Sequence, residues 1–191
     1  MKIILAVSGA SGMMIARRTI EYLNQNDHQL FIVASDTAEE IFEYECGISL
    51  YDYLRNKKGI IRYKNKDLFS PIASGSNDAE AMIVLPCSCS LASRIATGCG
   101  NTLITRAAEV FIKERRKLAV CIRENPVSTI TLKNLYELSL AGAYIFPLCP
   151  PYYNKFKTLD ELYDALLGRI LTSLNIPNDL CKVWGEINNE I

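Results

Sequence analysis

The stretch TRAAEVFIKERRKLAVCIRENP, Thr105 to Pro126, decides how the chain is read. Its first half is rich in good helix formers and a charged knot follows. The apolar run Leu118 to Ile122 then stops at Arg123-Glu124, just before Asn125-Pro126. This is helix, turn, buried strand. At about 3.6 residues per turn, Arg106 and Lys113 fall nearly on one stripe with Glu109 and Val110, so two cations share a helix face. Arg123 and Glu124 stand where a strand ends, and in open α/β sheets the ligand crevice lies beyond the carboxyl ends of the strands. An anionic ligand such as a phosphate suits this pattern. A solvated helix face bearing Arg106, Lys113, Arg115 and Arg116, with Arg123 in a surface ion pair, explains it equally well.

Working toward the amino terminus, Ala81 to Leu85 reads as a strand that ends at Pro86-Cys87-Ser88-Cys89-Ser90, and the small residues from Ala92 to Gly100 as a closely packed stretch. Asn101-Thr102 caps the helix that follows. Ser70 to Ser76 is a small-residue loop. Residues 49 to 66 hold a short amphipathic piece (Leu50, Tyr53, Leu54) and a basic, poorly periodic stretch read as an excursion. Gln29 to Ala34 is a strand, and Ser35-Asp36 caps a helix through Ala38, Ile41 and Phe42 to Glu45. Glu45 closes that helix, where a carboxylate opposes the macrodipole. This weakly suggests another use, although a merely solvated side chain is the simpler reading. The chain opens with the aliphatic run Lys2 to Val7, the turn Ser8-Gly9-Ala10-Ser11-Gly12, and a helical pattern through Ile15, Ile20 and Leu23. Such a turn lets the backbone approach a ligand and leaves helix N–H groups for an anion; a plain tight turn would read the same.

Toward the carboxyl terminus, Ser128 or Thr129 caps a helix with Leu132, Leu135, Leu138 and Leu140 that ends at Gly142. Ala143 to Phe146 is a strand, and the stiff aromatic loop through Pro150-Pro151-Tyr152-Tyr153 follows. Thr158 to Glu161 is a capping box for a helix through Leu162, Leu166, Ile170 and Leu174, with Arg169 off its apolar stripe. Five strands alternating with helices predict a three-layer, doubly wound parallel α/β sheet of Rossmann or flavodoxin type. Residues 1–175 are expected to form a single domain, and residues 176–191, with Trp184, a tail docking on a neighbouring subunit.

The totals narrow the function further. With 21 basic and 21 acidic residues, no net field favours nucleic acid or an anionic membrane, so any anion site is local. Seven cysteines, an odd count, with no secretory signal at MKIILAV point to a reducing cytoplasm. They read as small buried apolar residues. Cys87 and Cys89 lack zinc spacing and His28 is the only histidine, so no metal is expected. No apolar run approaches the roughly 20 residues that span a bilayer.

Together, SGASG at 8–12, PIASGS at 71–76, LPCS at 85–88, IATG at 95–98, LITRAAEVFIKERRKL at 103–118, RENP at 123–126 and the PPYY loop resemble the flavin prenyltransferases of UbiX type, once described as hydroxybenzoate carboxy-lyase subunits. The resemblance implies a Rossmann-like flavoprotein that joins a dimethylallyl group, from dimethylallyl phosphate, to N5 and C6 of reduced FMN. The prenylated FMN would pass to a UbiD-type decarboxylase. Carried over by position, Gly9, Ala10, Ser11, Ser35, Ser88, Cys89, Ser90, Leu91 and Arg123 would contact FMN. Arg106, Lys113, Glu124, Tyr153 and Arg169 would hold the donor's phosphate, with Ser11 and Glu45 near N5, so that Ser11, Glu45, Lys113 and Glu124 form the catalytic set. The site would be shared between subunits of a homo-oligomer as large as a dodecamer. The run Cys87-Ser88-Cys89-Ser90-Leu91 departs from the Cys-Ser-Met-Lys/Arg-Thr common in the family. A flavin-binding accessory protein or flavodoxin-like paralogue without prenyl transfer is the alternative. Flavin-dependent cysteine decarboxylases share the fold but use a histidine, and His28 lies in the wrong segment.

Overall fold

The computed structural model of the chain describes residues 1–180. Its strands are β1 (Lys2–Val7), β2 (Gln29–Ala34), β3 (Ile60–Lys64), β4 (Ala81–Cys87), β5 (Lys117–Ile122) and β6 (Tyr144–Pro147). They form one parallel sheet in the order β3-β2-β1-β4-β5-β6. The first three strands are laid down in one direction from β1 and the last three in the other. Strand order therefore reverses between β1 and β4, the switch point at which such sheets open a crevice.

The central strands are continuous apolar runs because both faces are covered. In β1, Ile3, Leu5 and Val7 enter one core, while Ile4 and Ala6 enter the other, as the two-residue period of a strand requires. The first core is closed by α1 (Met13–Gln25), α2 (Asp36–Cys46), α3 (Leu50–Leu54) and α7 (Leu159–Ser173). The second is closed by α4 (Cys89–Ala96), α5 (Leu103–Lys113) and α6 (Thr129–Leu140). The expected caps are present: Ser35, Thr102, Ser128 and Thr158 each accept a hydrogen bond from a first-turn N–H. The charged knot after α5 turns through Arg115 in a left-handed conformation, φ 53°.

Three readings of the sequence change. Among the described residues there are six strands, because residues 60–64 pair with β2 as an edge strand. With one side unpaired and Arg62 and Lys64 in it, this strand lacks the apolar run of a central one. Residues 89–96 form a helix of their own, α4. Among the six described cysteines, all free thiols, only Cys87 and Cys121 are fully buried; Cys46 and Cys89 are half-buried and Cys99 and Cys149 exposed. Beyond α7, Ile176 is buried in the first core and the Tyr22 hydroxyl donates to Asp179 at 3.0 Å. Trp184 and the rest of the tail lie outside the described residues. Among those described, no helix is long and apolar enough to cross a membrane.

Candidate functional site

Helices α1, α2 and α4 begin at the carboxyl edge beside the switch point, and the first N–H groups of a helix attract anions. At α1 that position is already filled. Glu45, in the last turn of α2, accepts from the N–H of Gly12 at 3.0 Å and of Met13 at 2.7 Å. The expectations of an open α1 terminus and of a solvated Glu45 are both corrected. The carboxylate leaves an unfavourable dipole end on its own helix for a favourable one on α1. Ser11 is exposed immediately before this contact, so the predicted pair Ser11 and Glu45 is brought together.

At α2 and α4 the caps are Ser35, which accepts from Ala38 N–H at 3.1 Å, and Ser88, which accepts from Leu91 N–H at 3.3 Å. Buried Ser8 ties β1 to β4: its hydroxyl donates to the Pro86 carbonyl at 3.1 Å and accepts from the Ser88 N–H at 2.8 Å. These residues border a cleft of about 260 Å³ at the switch point, completed by Gly9, Thr37, Asn65, Ser90, Leu91, Arg94, Thr102 and Ile104. A Cβ built on Gly9 would lie 2.9 Å from Cβ and Cγ2 of Thr37, so only glycine lets this turn close on α2. Of the FMN contacts expected from the sequence, Gly9, Ser35, Ser88, Ser90 and Leu91 line the cleft. Thr37, Asn65, Arg94 and Ile104 line it without having been singled out. Asn65 sits in the stretch read as an excursion, where it accepts from the N–H groups of Leu103 at 2.8 Å and Ile104 at 3.1 Å and so fixes the start of α5.

A second cleft, of about 250 Å³, opens at the carboxyl end of β6. Tyr153 and Arg169 both line it, with Phe146, Pro147 and Leu166. The fold thus brings two residues distant in sequence to one cleft. Arg123 and Glu124 follow the end of β5, outside both clefts. The Glu124 carboxylate accepts from the Cys89 thiol at 3.3 Å and from the Asn125 N–H at 3.2 Å. Burial, and then the neighbouring Glu124 carboxylate, push the Cys89 thiol pKa up; burial does the same for Cys87. Both thiols stay protonated near neutrality, and Cys89 is a donor to Glu124.

Arg106 and Lys113 are elsewhere. Arg106 donates to the Ala73 carbonyl at 3.1 Å and to Glu109 at 3.3 Å, and Lys113 pairs with Glu114. The shared stripe on α5 holds, but within one subunit it grips the loop containing Gly75, where a Cβ would lie 3.0 Å from Lys113 Nζ. Lys113 precedes β5 and Glu124 follows it, and six strand residues span about 20 Å. One subunit does not bring these two together. Among the described residues no cluster of three or more His, Cys, Asp or Glu is arranged for a metal.

Strand order, helix termini and a hydroxyl-lined cleft define a doubly wound α/β protein whose switch-point cleft is suited to a phosphorylated ligand. The family model described as Flavoprotein matches residues 1–171. The flavin prenyltransferase UbiX of Methanocaldococcus jannaschii is 40% identical over 188 residues, which cover 98% of this chain and 100% of that protein. Among solved structures, AnUbiX in complex with FMN and dimethylallyl pyrophosphate gives a TM-score of 0.91 at 33% identity, covering 96% of this chain and 97% of the other. A dodecameric FMN-dependent UbiX-like decarboxylase from Escherichia coli gives 0.90 at 31% identity, covering 96% and 99%. The chain belongs to the flavoprotein family and, within it, to the flavin prenyltransferases of UbiX type.

Proposed function

We propose that this protein joins a dimethylallyl group from dimethylallyl phosphate to N5 and C6 of reduced FMN, making prenylated FMN for a partner decarboxylase of UbiD type. The observation that carries this reading is the pair of clefts at one edge of the sheet. The switch-point cleft offers hydroxyls and helix N–H groups, while Tyr153 and Arg169 form a separate donor pair. A protein that only carried flavin would have no use for a second anion site. The cleft residues fit FMN. The missing side chain at Gly9 lets the turn close on α2 at the cleft wall, and the hydroxyl and N–H donors lining the cleft suit a phosphate.

Reduced FMN, when bound, supplies the electron-rich ring that captures the allyl group. The protein's part is electrostatic and steric. Breaking an allylic C–O bond leaves a delocalised cation and a phosphate anion. Tyr153 and Arg169 from one subunit, with Arg106 and Lys113 from another, act as preorganised donors to the leaving phosphate. Glu124 carries the proton that improves this leaving group, and the Cys89 thiol and Asn125 N–H hold its carboxylate in place. Ser11 and Glu45 lie by the turn over the flavin ring, where Glu45 also anchors α1. We place the protein in the cytoplasm, in keeping with its six described free cysteines.

The test is anaerobic incubation with reduced FMN and dimethylallyl phosphate, followed by mass analysis of the extracted flavin. The expected product is heavier by one C5H8 unit and disappears when Glu124 or Lys113 is changed to alanine. Recovery of unmodified, tightly bound FMN would favour an accessory flavoprotein instead.

A further inference from the structure

We infer that Arg94 is the counter-charge for the phosphate of FMN, holding it between the amino ends of α2 and α4; this rests on the flavin reading above. Arg94 is the one charged side chain among the residues lining the switch-point cleft. Six of the other nine arginines are engaged within the chain: Arg17, Arg18, Arg55, Arg62 and Arg106 each meet a carboxylate, and Arg116 meets the backbone carbonyls of Gly75 and Asn77, while Arg115, Arg123 and Arg169 lie away from this cleft. Among the described residues the Arg94 guanidinium has no such partner. Arg94 is exposed at the cleft and paired with no carboxylate, so its charge is open to a bound anion.

Helix geometry supports the same assignment. Arg94 lies in the last turn of α4, and helical side chains lean back toward the amino end over the residues three and four positions earlier. For Arg94 these are Leu91 and Ser90, which line the same cleft. The guanidinium is thereby delivered toward the amino end of α4, where Ser88 caps the helix and the first N–H groups point outward. The third helix start at this edge, that of α1, is closed to an anion by Glu45. A cation in the last turn also complements the dipole of α4, but that role does not require the side chain to line a cleft. The planar fork of arginine suits a phosphate bound through two parallel hydrogen bonds.

The test compares FMN with riboflavin, which has the same ring and no phosphate. Flavin-free wild type, Arg94→Ala and Arg94→Lys are titrated with each flavin by fluorescence quenching, and circular dichroism checks that the variants are folded. Wild type is expected to prefer FMN, and Arg94→Ala to lose about 10- to 100-fold in FMN affinity while its riboflavin affinity stays within about twofold. Arg94→Lys should keep part of the preference, and this arm stands even if the alanine variant fails to fold. Equal weakening of both flavins, or unchanged FMN binding, overturns the role of Arg94 and leaves the flavin reading intact. A wild type that binds neither flavin overturns both.

Discussion

The carboxylate of Glu45 serves the start of a helix to which it does not belong. It accepts two N–H groups at α1, and Gly12, at φ 113°, takes a left-handed conformation that few other residues adopt. Changing Glu45 to alanine leaves those donors to water and should lower the unfolding free energy by about 1 kcal/mol, with glutamine intermediate. Urea denaturation reads this directly, and coincident midpoints for wild type and alanine would show that water serves these N–H groups as well. At this scale the sequence flagged Glu45 only through its awkward place at a helix end. The partner that resolves the awkwardness lies 33 residues away.

Among elements, the close fit of the β1–α1 turn to α2 is the feature most exposed to mutation. Thr37 is β-branched and stiff, and its Cβ lies 2.9 Å from where a Gly9 side chain would begin. Gly9→Ala should cost about 1–3 kcal/mol of stability through forced displacement, and should weaken FMN binding because the cleft wall moves with it. Adding Thr37→Ala should recover only part of either loss, since the threonine Cβ remains. Denaturation together with flavin titration tests both statements. Strands β1, β2, β4 and β5 were legible as uninterrupted apolar runs, and the caps at Ser35, Thr102, Ser128 and Thr158 as single polar residues before helical patterns. The edge strand β3 was not legible. Its alternation of Ile61, Arg62, Tyr63 and Lys64 becomes a strand only through pairing with β2.

At the scale of the molecule, the proposed phosphate clamp is divided. Lys113 and Glu124 stand at opposite ends of β5, and α6 presents Leu132, Tyr136 and Leu140 to the outside along one i, i+4, i+8 stripe. In the proposed assembly, a second copy covers such surfaces and lends its Lys113 to complete the site. Subunits carrying Lys113→Ala and Glu124→Ala should each be inactive alone. Dissociated, mixed in equal amounts and reassembled, they should recover about a quarter of the wild-type rate, because one random pairing in four restores both groups at one site. No recovery would place both residues in the same subunit.

By itself the sequence determined the alternation of strand and helix, the two-sided core and the residue types of an anion site. Each is written locally, in runs, periods and caps that neighbouring residues settle among themselves. Only the tertiary structure decided that Glu45 occupies the start of α1 and that Arg94 faces the switch-point cleft. It also set Tyr153 and Arg169, from a loop and a helix, on one cleft at the carboxyl end of β6. The physical reason is that these relations join segments far apart in the chain, and strand order together with helix direction, not local propensity, fixes which of them meet.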